Sequence, residues 1–214
     1  MFRVKICGVT GPRDAEEAAL CGADAVGINF HRGSKRCVDA GRAKEIVDAL
    51  RGKAIPVAVF VDADAREIRR VCEAAGIGTV QLHGEEPAVL AAALDYRRIR
   101  AIRIGARADV GGYREYPCEA FLLDAFVPGV PGGTGKTLAW NRLPVAAGGT
   151  LHGRPWILAG GLTPENVERA IVEAGPAGVD TASGVESAPG LKDRGKMRAF
   201  VENARKGFSR IEKR

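Results

Sequence analysis

The sequence predicts an α/β fold, a single (β/α)8 TIM barrel spanning residues 1–214, from three observations. Eight short apolar, β-branched runs recur along the chain, and stretches of helical periodicity separate them in strict alternation. All of this fits in 214 residues with no linker or second domain in evidence. Parallel strands need a helix-length crossover between them, so this rhythm is what repeated βα units produce, and eight of them favour a closed barrel over an open sheet.

In chain order, the first run is Val4 to Cys7, and Pro12 opens a helix to Leu20, with Thr10 to Pro12 as its start signal. Strands follow at Ala25 to Phe30, Ile55 to Val61 and Thr79 to Leu82, separated by helices at Ala40 to Leu50 and Ala65 to Ala75. A helix at Pro87 to Leu94 leads to a strand at Arg98 to Ile104, then a weak helix near Asp109 to Glu115. The sixth strand is Ala120 to Asp124, with a helix at Trp140 to Ala147. Strands at Trp156 to Ala159 and Gly178 to Thr181 complete the set, with helices at Pro164 to Ala174 and Lys192 to Lys206. Thr163 before Pro164 again places proline at a first helical position.

Composition narrows the class. A hydrophobic share of 46% suffices for one sizeable core. No apolar run approaches the roughly 18 residues that span a bilayer, and the start MFRVKICGVT lacks the apolar stretch of a signal peptide, so a cytoplasmic protein without membrane contact is expected. Five cysteines (Cys7, Cys21, Cys37, Cys72, Cys118) form no CxxC pair, which points to reduced thiols and to no metal site. The net charge of +6 could attract anions such as sugar phosphates or, less specifically, nucleic acid, and alone decides nothing; much of it lies after Gly190, where KDRGK and ARKGFSRIEKR read as the solvated face and frayed end of a last helix, and no nucleic-acid partner is expected.

In such a barrel, chemistry sits at the carboxyl ends of the strands. Cys7 closes the first strand and Asp124 the sixth, offering one thiol base and one carboxylic acid around the mouth for proton transfer at two points. Each has a plainer reading: a cysteine there can be a small buried apolar residue, and the carboxylate can cap loop amides. Gly160-Gly161 after strand seven and Ser183-Gly184 after strand eight suit a phosphate held by backbone amides, where each alone would read as a turn. His83 after strand four is given a supporting, orienting role. Gly129 to Thr137 superficially suggests a nucleotide P-loop, but the pattern needs glycine where Val130 stands, so nucleotide binding is rejected and a loop closing over substrate is the better reading.

Six ordered motifs then carry a resemblance: KICGVT (Lys5 to Thr10), VQLHGEE (Val80 to Glu86), LLDAF (Leu122 to Phe126), GGTGK (Gly132 to Lys136), LAGGLTPENV (Leu158 to Val167) and GVDTASGVESAPGLKD (Gly178 to Asp193). Together they resemble the phosphoribosylanthranilate isomerases of tryptophan biosynthesis across nearly the whole chain. The resemblance implies a cofactor-free Amadori rearrangement of a small phosphorylated aminosugar, N-(5-phosphoribosyl)anthranilate. It further implies that Asp124 is the general acid at the furanose ring oxygen, Cys7 the base at C2, and Arg36 in FHRGSKR the partner of the anthranilate carboxylate, with Gly160, Gly161, Ser183 and Gly184 at the phosphate. Lys5 and His83 lie in matched motifs without firm roles. Cys37 stands where an aromatic is usual, Ala139 where an acid is, and Ala182-Ser183-Gly184 where Ser-Ser-Gly is expected; these departures touch loop packing, not the acid, base or arginine. An indole-glycerol-phosphate synthase would need a lysine and glutamates at strand ends, and strand one offers Cys7. A silent sugar-phosphate-binding module is the reading from another class, and retention of Cys7 and Asp124 argues against it. Monomer and homodimer both remain compatible with the sequence.

Overall fold

The computed structural model describes residues 1–104, 110–124, 140 and 150–213. Its strands are β1 (Val4–Cys7), β2 (Ala25–Asn29), β3 (Ile55–Phe60), β4 (Thr79–Leu82), β5 (Arg97–Arg103), β6 (Ala120–Asp124), β7 (Arg154–Ala159) and β8 (Gly178–Thr181). Each pairs in parallel with its chain neighbour. β8 returns to pair with β1, setting Val4 opposite Val179 and Lys5 opposite Asp180, and this last ladder closes the barrel.

Side chains alternate along a strand, so every second residue points inward. Inward-facing Ala25, Val57, Ile99, Ala120, Leu122 and Ile157, with Phe2 beneath them, fill the barrel. The outward set, including Ile6, Ile28, Phe60, Leu82, Phe121 and Leu158, packs under the helices in a larger apolar layer. Each fully buried side chain of this size contributes about 1.5–3 kcal/mol relative to exposure.

The helices are α1 (Pro12–Leu20), α2 (Ala40–Leu50), α3 (Ala65–Ala75), α4 (Ala88–Ala92), α5 (Val167–Ala174) and α6 (Arg194–Glu212). Aspartates Asp39, Asp64 and Asp193 cap α2, α3 and α6, each accepting from the backbone N–H three residues on. Three expectations need correction. Pro164 does not begin α5: Asn166 takes that place, its side chain accepting from Thr163 N and donating to Gly161 O, so Thr163 to Asn166 form a turn. Nor does Thr10 cap α1. Its hydroxyl donates to Gly190 O instead, and Gly11 occupies the cap with Pro12 at the first position. The final helix is no frayed tail, because α6 runs to Glu212 and buries Phe200, Val201, Ala204 and Phe208 along one face.

Around Asp109 to Glu115 only a 3-10 turn, Gly111–Tyr113, is present among the described residues. Most of the expected helix from Trp140 to Ala147, the loop Gly129 to Thr137 and Ala139 lie outside the described residues. Trp140 itself is buried, with the Arg169 guanidinium over its ring. Two features were not expected: a short ladder between Thr150–Leu151 and β7, and an antiparallel hairpin pairing Glu186–Ala188 with Leu191–Lys192. No helix among the described residues is long and apolar enough to cross a membrane.

Candidate active site

The inward register that fills the lower barrel with apolar groups brings polar ones to the carboxyl end. A cavity of about 230 Å³ opens there, and Cys7, Arg36, His83, Asp124, Gly160, Gly161 and Ser183, all singled out from sequence, line it. Gly184 stands just behind. A Cβ on it would lie 1.9 Å from Leu162 O and 2.8 Å from Thr181 Oγ1, so only glycine lets the loop after β8 close against the loop after β7. Gly160 and Gly161 themselves have φ of 91° and 66°, a left-handed pair that turns the chain sharply at the cavity wall.

Cys7 and Asp124 sit on strands three places apart one way round the barrel and five the other, so they face the cavity from roughly opposite sides. Below Cys7 the interior is ionic. Lys5, two residues earlier and hence on the same face, is fully buried and donates from Nζ to Asp180 Oδ1 at 2.8 Å. Gly27 across the ladder leaves them room: a Cβ there would meet Cys7 Sγ at 2.6 Å and Lys5 Cε at 3.1 Å. Burial pushes the Cys7 thiol above its ordinary range, and the neighbouring Lys5 ammonium works in the opposite direction. For Lys5, burial alone would lower the pKa, but Asp180 and Cys7 outweigh it and hold the ammonium above its ordinary value.

Asp124 is half-buried at the end of β6, with His83 Nε2 3.5 Å from its Oδ2. Gln81 Nε2 donates to His83 Nδ1 at 2.8 Å, which leaves the imidazole proton on Nε2, facing the carboxylate. Gln81 is buried, lines the cavity, and has an Oε1 with no hydrogen-bond partner among the described residues.

Arg36 reaches the cavity from the loop after β2. Ser34 Oγ fixes that loop by accepting from Arg36 N and from Asn29 Nδ2. The Arg36 stem passes over Gly8, its Cδ in the space a Cβ would take, and the guanidinium makes a two-pronged pair with Glu186, Nε to Oε1 at 2.7 Å and Nη2 to Oε2 at 2.6 Å. That hydrogen-bonded pair raises the Arg36 pKa further.

Sequence reasoning gave no role to Asn29, Gln81, Asp180, Glu186 and Lys192, although all but Asn29 stand in the matched motifs. The signal for Asp180 was present, since a carboxylate inside an apolar strand needs a partner when buried. Of the partners of Glu186, Arg36 lies 150 residues away, and Lys192, six residues on, meets it only through a hairpin that carried no such signal. All five cysteines are unbridged.

Residues 4–203 match the family model described as N-(5'-phosphoribosyl)anthranilate (PRA) isomerase. The chain belongs to this family. The family match runs from β1 into α6 and takes in every cavity residue named above. Within the family, the N-(5'-phosphoribosyl)anthranilate isomerase of Neisseria meningitidis serogroup C is 42% identical over 205 residues, covering 95% of this chain and 96% of its own. The crystal structure of phosphoribosyl anthranilate isomerase from Thermotoga maritima superimposes with a TM-score of 0.84 at 38% identity, covering 96% of this chain and 99% of that one. A phosphoribosyl anthranilate isomerase in complex with reduced 1-(o-carboxyphenylamino)-1-deoxyribulose 5-phosphate matches with a TM-score of 0.80 at 35% identity, covering 96% and 99%.

Proposed function

We propose that this chain converts N-(5'-phosphoribosyl)anthranilate into 1-(2-carboxyphenylamino)-1-deoxyribulose 5-phosphate, a step of tryptophan biosynthesis, by general acid and general base catalysis. The observation that carries the reading is that Cys7 and Asp124 face one cavity from opposite sides of the barrel mouth. Family membership supports it, as does the relative held with a reduced form of that product.

Asp124, protonated, gives its proton to the furanose ring oxygen. The C1–O bond breaks, the ring opens, and the anilino nitrogen's lone pair forms a cationic Schiff base at C1. That cation acidifies the C2 proton, which the Cys7 thiolate removes as the C2–H electrons move into the C1–C2 bond and neutralise the nitrogen. The enolamine then gains a proton at C1 and loses one from the C2 hydroxyl, which leaves the aminoketone. Protons gained and lost balance, and no electrons leave the substrate.

The other cavity groups position the substrate. His83 orients the Asp124 carboxyl through its Nε2 proton. Arg36 has five N–H donors and commits two to Glu186, so donors remain for the anthranilate carboxylate. Gly160, Gly161, Ser183 and Gly184 form the wall where backbone amides take the phosphate. The substrate is a small anionic molecule, in keeping with the positive net charge. Replacing Cys7 with serine tests the base: Cys7→Ser should bind the reduced product analogue as the native protein does while losing turnover at least about a hundredfold. Unchanged turnover would remove Cys7 from the mechanism.

A further inference from the structure

Glu186 is an expensive residue to have in this place. Its side chain is 5% exposed, and burying an ionised carboxylate is costly unless it is paired and hydrogen-bonded. Three charged hydrogen bonds offset that cost. Arg36 supplies two, and Lys192, whose side chain has no exposure, donates from Nζ to Glu186 Oε1 at 2.8 Å and to Ala182 O at 3.0 Å. Burial by itself would raise the Glu186 pKa, but Arg36 and Lys192 outweigh it and hold the carboxylate below its ordinary range.

The segment bearing Glu186 and Lys192 is fastened from several sides. The two residues face each other across the antiparallel hairpin Glu186–Ala188 and Leu191–Lys192. Lys192 N donates to Asp14 Oδ2 at 3.0 Å, Lys196 Nζ to Glu186 O at 2.8 Å, and Thr10 Oγ1 to Gly190 O at 2.8 Å. The hairpin is therefore tied to α1, to α6 and to the loop after β1. Arg36 stands in a loop held by Ser34, by Val38 N donating to Asn29 O and by the Asn29–Cys37 bridge, but its long side chain is 24% exposed where that of Glu186 is 5%. Glu186 is the fixed partner, and the Arg36 side chain the adjustable one. Arg36 lines the cavity, with Glu186 behind it.

We propose that Glu186 and Lys192 are positioning residues that aim Arg36 at the substrate's carboxylate. The fork of Glu186 grips the Nε edge of the guanidinium and so turns the remaining N–H donors into the cavity, in a plane fixed before substrate arrives. A flexible arginine has rotamer freedom to lose on binding, and holding it beforehand removes that cost from the binding step. Lys192 keeps Glu186 ionised. Because two cations share one carboxylate, the group also keeps one unit of positive charge for an anionic ligand to neutralise. This inference rests on the reading that Arg36 takes the anthranilate carboxylate.

The test compares two ligands by calorimetry: the reduced carboxyphenylamino product analogue and ribose 5-phosphate, which shares the phosphate but lacks the aryl carboxylate. Arg36→Ala establishes how much of the preference for the first ligand runs through Arg36. Glu186→Gln should then lose about tenfold in affinity for the carboxylated ligand and none for ribose 5-phosphate, with turnover showing a raised KM at little altered kcat. In the Arg36→Ala background the same substitution should cost nothing further, as expected for groups acting in one chain. Glu186→Asp, which keeps the charge but is too short to hold both donors, supplies the gentler variant and should fall between Glu186→Gln and the native protein. Equal weakening of both ligands, or a Glu186 effect that persists without Arg36, overturns the proposal. Should Arg36→Ala leave the preference intact, the assignment of the carboxylate to Arg36 fails. Should that variant abolish it while both Glu186 variants change nothing, only the positioning role fails.

Discussion

Lys5 Nζ and Asp180 Oδ1 meet 2.8 Å apart inside the barrel, on adjacent strands whose pairing closes the ring, with the lysine side chain wholly buried. The pair replaces apolar filling directly beneath Cys7. Removing one partner leaves an uncompensated buried charge, which costs about 3–5 kcal/mol. Lys5→Met should therefore destabilise the protein by about that amount in denaturant unfolding, and Lys5→Met with Asp180→Leu should recover much of it. A single substitution costing under about 1 kcal/mol would mean that the pair is not held as described.

A buried thiol pushed above its ordinary range is protonated at neutral pH, and only the thiolate accepts a proton. The rate of Cys7 alkylation, taken as the difference between the native protein and Cys7→Ser, should climb about tenfold per pH unit through neutral pH and level off only above the ordinary thiol range. A rate already level at neutral pH would show Cys7 ionised there, against the direction that burial sets.

Gly184→Ala forces a Cβ to 1.9 Å from Leu162 O, so the loops after β7 and β8 must separate. Affinity for ribose 5-phosphate should fall about tenfold or more, while the anthranilate end keeps its contribution. Calorimetry with ribose 5-phosphate checks this, and full-strength phosphate binding by a folded Gly184→Ala would place the phosphate elsewhere.

Glu186 is held below the ordinary carboxylate range despite its burial. A depressed folded-state pKa adds stability above the unfolded-state value, and that stability drains away as pH falls through the folded value. Acid unfolding of the native protein should therefore steepen below about pH 4, and Glu186→Gln should flatten that limb. Identical acid limbs for the two proteins would contradict the shift.

Much of the barrel was legible in the sequence because its signals are local. The runs Val4 to Cys7, Thr79 to Leu82, Ala120 to Asp124 and Gly178 to Thr181, and the helices from Pro12, Ala40 and Ala65, coincide with the observed elements to the residue. Hydrophobic periodicity fixes such elements, and the carboxyl end of each strand then fixes which residues reach the mouth. What escaped was side-chain capture. Pro164 marked a helix start by local rule, but Asn166 takes the turn's polar groups and delays the helix. Lys5 and Asp180 are 175 residues apart, and Arg36 and Glu186 150, so no window along the chain could join them. Glu186 in particular lay inside a matched motif with no role of its own, and only the hairpin's return to Lys192 and the reach of Arg36 across the mouth give it its partners.

The most direct measurement of the central claim is turnover. Phosphoribosylanthranilate would be generated in the cuvette from anthranilate and phosphoribosyl pyrophosphate by a transferase, and the product followed chromatographically for the native protein and for Asp124→Asn. The native protein should form 1-(2-carboxyphenylamino)-1-deoxyribulose 5-phosphate, and the variant, folded but without its acid, should be slower by at least about a hundredfold. No product from a folded native protein, or equal rates from both, would contradict the account.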